Sequence, residues 1–91
     1  MYIKETILKN ESGLHARPAA TFVALANTFE SKITIQRVDE SQPNKTNAKS
    51  ILMVLAQGIL KDTRIRICAE GFDEKEAVDQ LIKLVETKLV D

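Results

Sequence analysis

His15, the only histidine of the chain, and Arg17 flank one alanine inside Ser12-Gly13-Leu14-His15-Ala16-Arg17-Pro18-Ala19-Ala20. Imidazole is a good nucleophile and is partly neutral near physiological pH. A guanidinium is permanently charged and offers several donors to an oxyanion. The alanine-rich stretch that follows predicts a helix starting here. A helix start carries unpaired N–H groups and the positive end of a dipole. Nucleophile, fixed cation and free donors together suit a phosphoryl group that is picked up and handed on. Pro18 has no N–H, so Ala16 and Arg17 are the expected backbone phosphate donors. The plainer alternatives are a histidine that only begins a helix and an arginine that is an ordinary surface charge.

Ser50 is a second candidate. It stands before Ile51-Leu52-Met53-Val54-Leu55, where it reads as the N-cap of a short helix running to about Gln57 and ended by Gly58. A phosphate placed there would meet free N–H groups and add stability. A plain N-cap, worth about 1 kcal/mol, is the competing reading. Ile51, Leu52 and Leu55 cannot all be buried by so short a helix, so part of this cluster is expected on the surface as a docking patch. Ordinary core packing competes for Val54 and Leu55. Lys49 and Lys45 would add rim charge that speeds encounter.

The elements that must position these groups follow from periodicity. Tyr2 to Leu8 alternates as a strand, and Asn10 to Gly13 is turn material. Ala16 to Asn27 places Ala19, Phe22, Val23 and Ala26 at helical spacing. Lys32 to Val38 is a second strand, Asp39 to Asn44 an exposed loop, and Lys45 to Asn47 a short returning strand. Thr63 to Glu70 alternates Ile65, Ile67 and Ala69 against Arg64, Arg66 and Cys68. Asp73 and Glu76 have capping-box spacing. The last helix carries Ala77, Leu81, Val85 and Leu89 on one stripe, with Val78 and Ile82 beside it. Strands with one apolar and one polar face favour an antiparallel or mixed sheet with helices on one side. The expected class is α+β, a two-layer sandwich in the order β-α-β-β-α-β-α.

Composition narrows the function. Ninety-one residues make one small domain, residues 1–91, and 44% apolar content is enough for an ordinary core. Thirteen basic and thirteen acidic side chains cancel, against a direct nucleic-acid role. The apolar run from Ile51 to Ala56 is too short to span a bilayer, and no signal segment is seen, so a cytoplasmic protein is expected. The one cysteine, Cys68, reads as a small buried strand residue. One histidine and one cysteine do not assemble a typical metal site, and no cofactor is implied. No nucleophile motif of a Ser-His-Asp hydrolase accompanies His15.

Gly13-Leu14-His15-Ala16-Arg17-Pro18-Ala19 resembles the signature of the HPr family, the histidine-containing phosphocarriers of the bacterial phosphoenolpyruvate:sugar phosphotransferase system. Asn47-Ala48-Lys49-Ser50-Ile51-Leu52-Met53-Val54-Leu55 is similar to that family's regulatory-serine segment. The resemblance covers nearly the whole chain, element order included. It implies an open-faced sandwich, a four-stranded antiparallel sheet covered on one face by three helices. It implies that His15 is phosphorylated on Nδ1 by phosphoenolpyruvate-charged Enzyme I, with Arg17 as charge partner. EIIA domains of sugar permeases would receive the group, so the chain would be a carrier and not an enzyme. Ser50 would be the substrate of an HPr kinase/phosphorylase. Ile51, Leu52, Leu55, Ala20 and Lys49 would dock these partners.

The resemblance leaves two alternatives. One is a regulatory module acting mainly through phospho-Ser50 on a transcription regulator of carbon catabolite repression; the other is a nitrogen-branch or dihydroxyacetone-linked carrier. Two departures bear on partner choice: Met53 stands where the family commonly has glycine, and the loop at Asp39 to Asn44 is longer than usual.

Overall fold

The computed structural model describes residues 1–38 and 45–89. The elements are β1 (Tyr2–Ile7), α1 (Ala16–Ala26), β2 (Lys32–Arg37), β3 (Thr46–Asn47), α2 (Ile51–Gln57), β4 (Arg64–Glu70) and α3 (Glu74–Thr87). The four strands form one sheet in the order β1-β4-β2-β3, and every pairing is antiparallel. This is the expected open-faced α+β sandwich. The predicted exposed loop at residues 39–44 lies outside the described residues.

Register explains which side of the sheet is covered. Ile67 pairs with Lys4 on one side and Ile35 on the other, and Ala69 with Tyr2 and Ile33. Side chains alternate across a strand, so Ile65, Ile67, Ala69, Ile33 and Ile35 share one face and all are buried. A register slip of one residue would turn that set out to solvent. Phe22, Ala19 and Ala26 of α1, Val54 of α2, and Val78, Leu81 and Val85 of α3 complete the core.

Two local features are set by distant partners. On β1 the helix-facing side is polar. The Tyr2 hydroxyl donates to Asp79 at 3.0 Å, Lys4 pairs with Asp79 at 2.8 Å, and Thr6 donates to Glu86 at 2.8 Å. The strand is thus tied to α3 by hydrogen bonds, and Ile3 is left half exposed on the open face.

The capping box at Asp73 and Glu76 does not form either. Asp73 makes no side-chain cap to its own helix. Its carboxylate accepts from the Glu30 and Ser31 N–H groups and from the Ser31 hydroxyl, fastening the start of β2 to the start of α3. These bonds, led by the Ser31 hydroxyl, hold the Asp73 carboxyl below its ordinary range. Glu74, not Glu76, reaches back, accepting from the Gly71 N–H at 3.1 Å.

Candidate functional site

The turn before α1 is held by its own backbone. Gly13 donates to the Asn10 carbonyl at 3.1 Å, and the Asn10 amide donates back to the Gly13 carbonyl at 2.8 Å. Gly13 has φ +65°, and a Cβ there would collide with the Ile59 carbonyl oxygen and stand 2.8 Å from the Leu60 Cα. Glycine is required on both counts. The next N–H, of Leu14, donates to the Ile59 carbonyl at 2.9 Å, and the Leu14 side chain is fully buried. The turn is therefore clamped to the segment that follows α2.

His15 comes next, in extended conformation (φ −140°, ψ 155°), as the N-cap residue of α1. Its side chain makes no cap hydrogen bond, and the residue is exposed. Ala16 then adopts φ +49°, a left-handed conformation that costs a non-glycine residue about 1–2 kcal/mol. Among the described residues no acceptor takes the Ala16 or Arg17 N–H. Pro18 follows, buried in the first turn, where its missing donor removes nothing. Arg17 is exposed, and among the described residues it has no carboxylate partner. An exposed imidazole, an unpaired guanidinium and two open N–H groups thus meet within three residues. The arrangement can accept a tetrahedral oxyanion on the ring and neutralise it from the backbone and Arg17.

Ser50 is the N-cap of α2, and its Oγ accepts from the Met53 N–H at 3.3 Å. Gly58 closes the helix in the left-handed conformation. Of the expected docking residues, Ile51 and Leu52 are exposed, Leu52 at 77%. Ala20 is exposed on α1, which packs against α2. Leu55 lies partly buried against the core.

Lys49 does not project freely. Its ammonium donates to the Phe29 carbonyl at 2.6 Å, and its own carbonyl accepts from the Asn27 amide at 3.1 Å, joining the end of α1 to the start of α2. Leu60, 68% exposed and next to the clamp on Gly13, is an apolar surface residue that sequence reasoning missed. Its only advance signal was an apolar residue in a loop, directly after the glycine that ends α2 and one buried isoleucine.

Among the described residues no group of three or more His, Cys, Asp or Glu side chains gathers as metal ligands. No helix among them is long and apolar enough to cross a membrane. Cys68 is a free, buried thiol on β4.

Comparison with known proteins decides the family. Residues 3–87 match the family described as PTS HPr component phosphorylation site. The chain belongs to the HPr family. It is 40% identical to phosphocarrier protein HPr of Vibrio cholerae, over 94% of this chain and 96% of that one. It is 42% identical to the HPr-like protein Crh of Halalkalibacterium halodurans, over 94% and 98%. A multiphosphoryl transfer protein of Haemophilus influenzae is 34% identical over 91% of this chain, which spans only 16% of that protein's length. Among solved structures, HPr from Thermoanaerobacter tengcongensis superposes with a TM-score of 0.88 at 40% identity, over 97% of this chain and 94% of that one. HPr-family phosphocarriers of the phosphotransferase system share this fold, with the sheet open on one side.

Proposed function

We propose that this chain carries a phosphoryl group on His15, taking it from phosphoenolpyruvate-charged Enzyme I and giving it to EIIA domains of sugar permeases. The observation that supports this reading best is the exposed His15 at an uncapped helix start, with Arg17 two residues on and without a carboxylate partner among the described residues. The Nδ1 lone pair attacks phosphorus as the bond from phosphorus to the donor breaks, and the same exchange with the acceptor as nucleophile passes the group on. The incoming oxygens gain the Ala16 and Arg17 N–H groups and the guanidinium. Each exposed dipole interaction is worth about 0.3–1 kcal/mol, modest enough that the group is not trapped. The chain itself turns over no small molecule. Ile51, Leu52, Ala20 and Leu60 supply the apolar contact around the reacting ring, with Leu55 contributing only its exposed edge. Lys49 acts there chiefly as the strap between α1 and α2.

The test is labelling with phosphoenolpyruvate and Enzyme I. Wild type takes an acid-labile, base-stable phosphate, His15→Ala takes none, and Arg17→Ala takes it more slowly. Label of that kind on His15→Ala would overturn the reading.

A second reading, regulation through phospho-Ser50, is favoured by the 42% identity to a Crh protein. A phosphate on Ser50 would keep the Met53 N–H as a donor. Incubation with HPr kinase/phosphorylase and ATP tests it. Label lost in Ser50→Ala supports regulation, and absence of label on wild type removes it.

A further inference from the structure

Away from His15, a groove of about 450 Å³ lies between the start of β2, the β3 edge of the sheet and the segment leading into α2. That volume is in the range of small-molecule sites, about 300–1,000 Å³. Three lysines line it, from three separate segments: Lys32 at the start of β2, Lys45 before β3 and Lys49 before α2. Glu30 is the only carboxylate in the lining among the described residues, while Glu70 of β4 stands opposite Lys32 in the sheet register.

The local excess is notable in a chain of zero net charge. On the rest of the surface Lys4, Lys9, Lys61 and Arg66 each have a carboxylate partner. Lys32 and Lys45 have none among the described residues. Lys49 is already fixed in place by the Phe29 carbonyl, which uses one of its three donors and leaves two. The Asn47 side-chain oxygen Oδ1 is taken by the Lys49 N–H at 2.9 Å, which leaves its amide NH₂ as a further donor. One wall is different in kind. Met53, 47% exposed, borders the groove with a flexible, polarizable side chain.

We propose that this groove binds a small organic monophosphate: the lysines and the Asn47 amide take the phosphate, and Met53 takes the carbon body. The charge balance of the lining, three lysines against Glu30, selects an anion. The number of donors favours three phosphate oxygens over a carboxylate's two. The apolar wall selects an organic phosphate over the inorganic ion. None of the lining residues belongs to the His15 turn, so this inference stands apart from the carrier reading.

Titration of the full chain followed by amide ¹H–¹⁵N spectra tests it, with phenyl phosphate, inorganic phosphate and phenol as probes. Phenyl phosphate is expected to give saturable shifts grouped at residues 30–34, 45–50 and 53. Inorganic phosphate should bind at least tenfold more weakly, and phenol should not saturate. Lys32→Gln with Lys45→Gln should weaken phenyl phosphate at least tenfold, while Lys75→Gln with Lys83→Gln leaves it unchanged. Met53→Ala should shrink the preference for phenyl phosphate over inorganic phosphate. Each variant's free spectrum reports that it is folded. Shifts scattered over surface lysines, equal affinity for inorganic phosphate, or indifference to the Lys32 and Lys45 changes would overturn the proposal.

Discussion

The two helix starts at His15 and Ser50 solve one physical problem in opposite ways. Ser50 satisfies its helix from within: its hydroxyl takes the Met53 N–H, and Gly58 closes the far end eight residues on. His15 satisfies nothing. Its ring makes no cap, the Ala16 and Arg17 N–H groups stay open, and Ala16 is held in a left-handed conformation. A closed helix start is a stable element that a modification can only adjust. An open one leaves its donors free for an anion, held in that form by surrounding backbone at some local expense. The clamp of Gly13 and Leu14 on the Ile59 carbonyl fixes the open start without using its donors.

The comparison is most severely tested at the clamp. Gly13→Ala must accommodate both φ +65° and a collision with the Ile59 carbonyl, so a loss of about 2–4 kcal/mol in urea unfolding is expected. An unchanged midpoint would mean that the turn is not fixed in this way. The caps themselves come next. Ser50→Ala should cost about 1 kcal/mol, whereas His15→Ala should change stability by less than about 0.5 kcal/mol. Equal costs at the two positions would erase the distinction drawn between them.

Ala16→Gly is a smaller probe. It relieves the left-handed backbone at the cost of a looser unfolded chain, and a net gain under about 1 kcal/mol is expected from thermal unfolding. The third helix start, at Asp73, sharpens the contrast through pH. Its carboxyl is held low by Ser31 and the neighbouring N–H groups. A depressed folded value means the contribution is present above the ordinary value of 3.8 and is lost as pH falls through the lowered one. The stability difference between wild type and Ser31→Ala, followed by urea unfolding, should therefore be constant from pH 7 to about 5 and narrow below 3.8.

Local signals made much of this architecture readable. The alternation of Ile65, Ile67 and Ala69, the helical stripe of Ala19, Phe22, Val23 and Ala26, and the Ser50–Gly58 bracket each depend on neighbours in sequence. Features set by distant partners were not readable. Asp73 leaves its expected cap because Ser31, 42 positions earlier, presents a better set of donors. Lys49 is drawn from the rim by the Phe29 carbonyl. The tilt of β1 toward polar pairing reflects Asp79 and Glu86 on α3, invisible from the strand's own pattern. At the candidate site, the residues His15 and Arg17 were legible from type and spacing. The left-handed Ala16 and exposed Leu60 were not, because both depend on how the Gly13 turn meets the segment after α2.

The strand order has a consequence for how the protein is made. β4, threaded between β1 and β2, is the last strand to leave the ribosome. Until residue 70 has been synthesised, Tyr2–Ile7 has no hydrogen-bonded neighbour and waits as an unzipped ribbon. The turn that carries His15 inherits that delay, because its clamp is fastened to Ile59 just ahead of the same late strand. Nascent chains are thus expected to hold His15 in an unformed turn until the central ribbon slots in, when scaffold and candidate site mature together.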